Sequence, residues 1–264
     1  MLTIFAVIAG MICAAILAFL LNPRIAAILT EIVTYFMPAV LVIQFSGLKS
    51  TGIYSASIFR DFRFVILLPI LGAAYGVAVS VFAVAAHAIY PIPVSLAEAM
   101  FKLLSTNSIP EFLWVVLVAA VTPAIAEEIL FRGILQPAMV ARLGARWGII
   151  LTSIIFALIH FNPWAFFALL IEGTFFGYVA YRTKTFWAGA LAHFGINCVA
   201  VISATMQPEF DYADMTEGTP WYVFIIGLVV AVAGTRAFMA MAAARTDGSG
   251  SESNSADAVE NPDP

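Results

Sequence analysis

Long apolar runs recur along the whole chain, separated by short polar stretches. A transmembrane α-helix needs about 20 mostly apolar residues, whereas the strands of a membrane barrel show short alternating segments. The pattern therefore predicts an all-α fold, a polytopic membrane helix bundle of about eight transmembrane helices. The predicted helices are residues 2–22, 25–46, 64–90, 112–140, 147–162, 164–181, 186–206 and 221–241.

The domain organisation predicted from this pattern is simple. Residues 1–245 form a single transmembrane domain, and residues 246–264 form an acidic cytoplasmic tail, rich in Ser, Gly and Pro, that is expected to be disordered. The first apolar run lacks a basic flank and is longer than the core of a signal peptide, so we expect a retained first helix. Hydrophobic residues make up 62% of the chain and charged residues only 11%.

Charge placement indicates partners and orientation. No basic patch suggests nucleic acid, and the lipid bilayer is the expected partner of the apolar surface. Cytoplasmic loops of membrane proteins are enriched in Lys and Arg, which predicts that both termini are cytoplasmic. The chain is short and has no organelle signal, so we expect an integral protein of a prokaryotic cell membrane. The basic residues on the predicted cytoplasmic side are Lys49, Arg60, Arg63, Arg142, Arg146, Arg182, Lys184 and Arg245.

Three charged residues interrupt an apolar run in "AIAEEILFRGIL", residues 124–135. Glu128 and Arg132 are four residues apart, so they share a helix face and can pair, whereas Glu127 points about 100° away. A helix over residues 111–142 would place Glu127 about 22 Å from either end, near the middle of the bilayer. An unpaired charge there costs roughly 2.5–3.5 kcal/mol, so Glu127 needs an explanation.

Two further polar pairs occur at the same helical spacing. "FALIH" places Phe156 and His160 on one helix face, and "HFGIN" does the same for His193 and Asn197. Counted from the nearest basic loop residue, His160, His193 and Asn197 lie about 14–21 Å along their helices. We therefore expect these groups and Glu127 to share a polar chamber inside the membrane.

Such a chamber would suit amide hydrolysis without a covalent intermediate. A carboxylate beside an imidazole can activate a water, and a second His with an Asn amide can donate hydrogen bonds to a developing oxyanion. The same His and Glu set could instead hold a divalent metal such as zinc with one open position. No "HExxH" sequence is present, so the spacing leaves metal dependence open.

At these residues the chain resembles the CPBP family of CAAX-processing endopeptidases (the Rce1 type) and bacterial Abi-like proteins. "EEILFR", "FALIH" and "HFGIN" match its EExxxR, FxxxH and HxxxN motifs in order, and the similarity covers about residues 113–200. The resemblance implies an intramembrane endopeptidase with a cytosol-facing cavity. Members of the family are described both as metalloproteases and as glutamate-dependent proteases.

The resemblance also implies roles for individual residues. Glu127 takes the position of the catalytic glutamate and His160 that of the water-activating histidine, while His193 and Asn197 stabilise the oxyanion or bind metal. The supporting residues are Glu128, Arg132 and Phe156. A metal, if used, would be bound by Glu127, His160 and His193. The implied substrate is a membrane-associated peptide or a membrane protein.

Two other functions remain open at this point. A non-proteolytic membrane scaffold or regulator could keep the same fold, although intact motifs argue against it. A transporter would also use intramembrane ionisable residues, but no internal repeat supports one. Glu31 and Glu172 lie in predicted helices outside any motif. We expect Glu31 to pair within the bundle or to contact water, and the alternative is that it lies on the path of the substrate. Glu172 is a candidate for the lining of the cavity.

Overall fold

In the computed structural model, the described residues are Gly10, 20–45, 54–207, Glu209 and 219–257, with side chains described up to residue 244. They form helices joined by short loops, and this part of the chain contains no strand. The predicted all-α membrane bundle is confirmed. The first predicted helix, residues 2–22, lies almost wholly outside the described residues, so the count of eight stays a prediction.

The first half of the described chain contains three helices. Helix α1 is Pro23–Phe45 and α2 is Phe62–Ile89, both long and apolar enough to cross a membrane. A 3₁₀ turn, Ala56–Arg60, precedes α2. The short helix α3, Val94–Leu104, was not predicted because its 11 residues are fewer than a spanning run needs.

The central stretch Ile109–Ile159 is helical except at Gly144, whose φ of 77° and ψ of 166° break the run. We call residues 109–143 α4 and residues 145–159 α5. Glycine is the residue that adopts a positive φ without steric cost, which explains how a reversal fits into so short a connection. These two helices correspond to those predicted over 112–140 and 147–162.

Three more helices complete the bundle. They are α6 at Phe166–Thr183, α7 at Phe186–Met206 and α8 at Trp221–Asp257. The predicted helices over 164–181, 186–206 and 221–241 are thereby confirmed, with α8 extending further than expected. It runs into the acidic tail, and residues 258–264 lie outside the described residues, so disorder of the tail stays a prediction.

Three π-helical turns interrupt α1 and α4, at Ile32–Phe36, Leu117–Val121 and Phe131–Leu135. Each is followed two residues later by a proline, at Pro38, Pro123 and Pro137. Proline lacks an N–H and its ring clashes with the carbonyl four residues earlier, which here lies inside the π turn. The wider turn relieves that clash. π turns are frequent at functional sites, and the third turn contains Arg132.

Helices α2 and α7 pack closely through small residues. A Cβ added at Gly72 would meet the backbone of Ala192, and a Cβ at Gly195 would meet the backbone of Pro69. Small residues at helix interfaces let backbones approach in membranes, where no hydrophobic effect drives helices together. This contact fixes α7, and with it His193, in the centre of the bundle.

Candidate active site

Glu127 and His160 lie next to each other, although they come from different helices. Glu127, on α4, is 4% exposed. His160 lies directly after the last residue of α5, and its Nε2 is 3.7 Å from Glu127 Oε2. This distance is too long for a direct hydrogen bond. It leaves the two groups close enough to bind one small molecule between them.

The tautomer of His160 follows from its other nitrogen. Nδ1 lies 2.7 Å from the carbonyl oxygen of Phe156. A carbonyl oxygen can only accept, so Nδ1 carries the hydrogen and donates it. In a neutral ring, Nε2 is then a free lone pair facing Glu127. The spacing in "FALIH" therefore has a physical role, because the residue four positions earlier supplies this carbonyl.

Glu128 and Arg132 form the expected ion pair, and both are fully buried. Arg132 Nη1 donates to Glu128 Oε1 over 2.7 Å, and Arg132 Nη2 donates to the carbonyl of Gly173 on α6 over 2.8 Å. One turn further on, Gln136 Nε2 donates to the carbonyl of Gly177 over 2.9 Å. The EExxxR segment is thus bonded to α6 as well as to itself.

His193 faces Glu128 and not Glu127. Its Nδ1 is 3.3 Å from Glu128 Oε1, the oxygen that also accepts from Arg132. An ionised carboxylate only accepts, so His193 Nδ1 donates. The His193 ring stacks on Phe176 at a centroid distance of 4.8 Å and an interplanar angle of 14°. Glu128 therefore anchors one cationic residue and one imidazole.

Phe156 lies between the two polar pairs. Its ring centroid is 4.7 Å from that of His160 and 6.0 Å from that of His193, and the Arg132 guanidinium carbon lies 4.7 Å from it. A cation over an aromatic face is attracted by the ring quadrupole. The structure thus brings the EExxxR and FxxxH residues and the histidine of HxxxN into one cluster.

Asn197 lies one turn after His193 on α7 and is half-buried. The four-residue spacing puts both on one helix face. Within the described part of the chain, its side chain makes no hydrogen bond to Glu127, Glu128 or the two histidines. Its predicted role as an oxyanion donor stays a prediction.

The structure adds positions that the motifs do not contain. A Cβ at Gly189 would contact Glu128 Oε2, and a Cβ at Gly173 would lie 3.3 Å from Arg132 Nη2. These glycines keep space for the buried ion pair. In the sequence, Gly189 lies one helical turn before His193 on the same face of α7, and this position could have indicated that it lies at the site.

The arrangement does not fit a metal site as it stands. The residues predicted to bind a metal do not face one common point, because His160 faces Glu127 while His193 faces Glu128. Among the residues whose positions are described, no three His, Cys, Asp or Glu side chains converge on one point. Catalytic zinc sites use three protein ligands. We derive no step through a metal, and zinc stays a prediction for experiment.

Comparison with known proteins agrees with the motifs. No curated protein and no solved structure is significantly similar to the chain. Residues 109–199 match the model of the Rce1-like family, described as type II CAAX prenyl endopeptidase Rce1-like. All the predicted catalytic and supporting residues lie inside this range. The resemblance inferred from the motifs is thus confirmed for residues 109–199, which lie within a membrane helix bundle and are similar to the Rce1-like family.

Proposed function

We propose that this protein is an intramembrane endopeptidase that hydrolyses a peptide bond of a membrane-associated peptide or protein. One observation carries the proposal: a carboxylate oxygen of Glu127 faces the lone-pair nitrogen of His160 across 3.7 Å, inside the Rce1-like domain. Two acceptors at that distance suit a water that donates one hydrogen to each. The oxygen of that water keeps a lone pair for the substrate carbonyl.

In the first step the water oxygen forms a bond to the carbonyl carbon. Its proton passes to Glu127 or His160, and the carbonyl oxygen becomes an oxyanion. In the second step that proton is transferred to the amide nitrogen as the C–N bond breaks. The bond cleavage gives a carboxylic acid and an amine, and the proton of the acid then passes to the amine, so that the products are a carboxylate and an ammonium. Glu127 and His160 return to their starting states.

The oxyanion would be stabilised by His193 and Asn197. Because His193 Nδ1 donates to Glu128, Nε2 is a donor only when the ring is protonated. The alternative, a neutral ring, would offer Nε2 as a metal ligand. A protonated His193 would thus fit the glutamate-dependent mechanism, and a neutral His193 would fit a metal-dependent one. The Asn197 amide adds a second donor.

The polar cluster is expected to open toward the cytoplasm, following the distribution of basic loop residues. A substrate would then present its scissile bond near the cytoplasmic membrane surface. The family description names prenylated CAAX substrates. We therefore use a prenylated CAAX peptide as the first probe and its unprenylated form as the second.

The test is cleavage of these fluorogenic peptides by protein purified in detergent. We expect Glu127→Gln and His160→Gln to lose about 10²–10⁴-fold in rate, the usual contribution of a general acid or base. The matched control is Glu98→Gln, because Glu98 is 45% exposed and pairs with Lys102 at the surface of α3. It should cleave like wild type.

Equal rates for wild type and Glu127→Gln would refute the proposal. A second measurement addresses the metal. If the glutamate mechanism is right, the purified protein should contain no stoichiometric metal. Its cleavage rate should also stay unchanged after dialysis against a chelator. Loss of activity in chelator, restored by zinc, would favour the metal-dependent alternative.

A further inference from the structure

A glutamate outside the three motifs acts on the site from another helix. Glu31 lies on α1 at the last residue before the π turn Ile32–Phe36. The segment around it packs against the part of α4 that carries Glu127. The carboxyl groups of Glu31 and Glu127 therefore lie on facing segments of α1 and α4, close enough to interact electrostatically.

Both carboxyl groups have a buried oxygen that lacks a protein partner. Glu31 Oε2 and Glu127 Oε2 find no hydrogen-bond donor among the described residues. A buried carboxylate oxygen without a donor is costly, and native proteins satisfy nearly all such atoms. Glu127 Oε2 is the oxygen that faces His160, so a donor from α1 would meet the other oxygen of Glu127. Glu31 Oε2, on the facing helix segment, is the buried atom that could supply that donor in its acid form.

Tyr35 belongs to the same group. It is 6% exposed, and both Glu127 and Glu31 act on it electrostatically. Its ring contacts Phe131 of α4 at a centroid distance of 6.3 Å. The π turn contains Tyr35, and it changes the angular spacing of the residues that follow Glu31. The two carboxyl groups and the hydroxyl supply the two to four polar partners that a buried bridging water requires.

We propose that Glu31 is a positioning residue for Glu127, which it holds, together with Tyr35, by hydrogen bonds made directly or through one water. Glu31 in its acid form donates toward one oxygen of Glu127. The other oxygen is left to face His160 and the attacking water. This inference rests on the proposed protease function and adds to the Rce1-like domain a residue that precedes it in the chain.

The experiment compares three substitutions at Glu31 in the purified full-length protein, using the peptide probes above. Glu31→Ala and Glu31→Leu remove the donor, so kcat should fall by roughly 10–100-fold, the range expected when a catalytic group is misplaced by about 1 Å. KM should stay within about twofold, since Glu31 is not proposed to bind substrate. Glu31→Gln keeps an N–H donor of the same length and should retain most of kcat.

Two further variants isolate the cause. Tyr35→Phe keeps the ring contact and removes only the hydroxyl, so it should also lower kcat without changing KM. Thr34→Val is the matched control, because Thr34 is a fully buried neighbour whose hydroxyl likewise lacks a partner within the described segments. It should cleave like wild type. Glu31→Ala combined with Glu127→Ala should be no slower than Glu127→Ala alone.

The outcomes separate this inference from the proposed function. An active wild type whose Glu31→Ala variant matches it in kcat overturns the role of Glu31 and leaves the protease function intact. Loss of kcat in Glu31→Gln as large as in Glu31→Ala, or equal loss in Thr34→Val, also overturns it, since either result indicates a structural effect. A wild type that cleaves no probe overturns both.

Discussion

Arg132 is a fully buried charged residue of the site, and its removal gives a sharp test of the structure. Its side chain is 0% exposed. We consider Arg132→Met, which keeps a long unbranched side chain and loses the charge. The substitution removes the hydrogen bonds to Glu128 Oε1 and to the carbonyl of Gly173, of 2.7 and 2.8 Å. It also removes the cation above the Phe156 ring.

The expected loss of stability depends on which buried groups lose a partner when Arg132 is replaced. Breaking a buried ion pair by removing one partner costs about 3–5 kcal/mol, because the other charge stays buried. Here Glu128 keeps His193 Nδ1 as a partner at 3.3 Å. Arg132 Nε, moreover, has no hydrogen-bond partner among the described residues. Both facts favour the lower end, about 3 kcal/mol. For a domain of this size, that corresponds to a fall in Tm of roughly 6–12 °C.

The assay is thermal unfolding in one detergent, with Arg132→Met, Glu128→Gln and the double variant as a cycle. Each single variant leaves a buried charge without its oppositely charged partner, whereas the double variant leaves two neutral side chains. We therefore expect the double loss to be smaller than the sum of the single losses by roughly 2 kcal/mol.

A control exists in the same chain. Arg24 Nη1 pairs with Glu111 Oε1 at 2.6 Å, but these side chains are 19% and 31% exposed. Arg24→Met should cost less than Arg132→Met, because water can solvate the partly exposed Glu111 carboxylate and the carbonyls of Leu103 and Ser105 that also accept from Arg24. The reasoning would fail if Arg132→Met lowered Tm by no more than Arg24→Met does. It would fail equally if the Glu128 and Arg132 losses were additive.

Three shorter predictions follow from the same geometry. Gly189→Ala places a methyl group against Glu128 Oε2, so the rate of peptide cleavage should fall at least tenfold. In Gly76→Ala the new methyl group contacts the Ile196 side chain at 3.3 Å, and this control variant should cleave the same peptide at nearly the wild-type rate. Gly144→Ala introduces a Cβ at a φ of 77° with open space around it, so thermal unfolding should show a loss of about 1 kcal/mol with the cleavage rate unchanged. Tyr54→Phe removes the donor to the carbonyl of Gly133 in the third π turn, 3.1 Å away, and should lower stability by about 1 kcal/mol in the same unfolding assay.

Much of the fold could be predicted from hydrophobic run length alone. A bilayer-spanning helix satisfies its own backbone hydrogen bonds and needs a set number of apolar residues, so its existence is a local property of the sequence. The helices at Phe62–Ile89 and Phe186–Met206 follow this rule. Helix α3 does not follow this rule, because its 11 residues are too few to span a bilayer and its helical structure depends on packing.

The candidate site divides in the same way. The pairing of Glu128 with Arg132 is fixed by their spacing on one helix, and the sequence predicts it without knowledge of any neighbour. Which carboxylate each histidine faces depends on how α4, α5 and α7 are positioned against one another. Only the structure assigns His160 to Glu127 and His193 to Glu128.

The sequence by itself thus determined the membrane bundle, the order of the three motifs and the internal ion pair, because each depends on residues close together in the chain. The tertiary structure decided the division of the histidines, the space that Gly189 leaves for Glu128 and the packing of the helix segment with Glu31 against the one with Glu127. The last of these joins residues almost a hundred positions apart. It depends on the packing of two helix segments with π turns, which no pattern along the chain encodes.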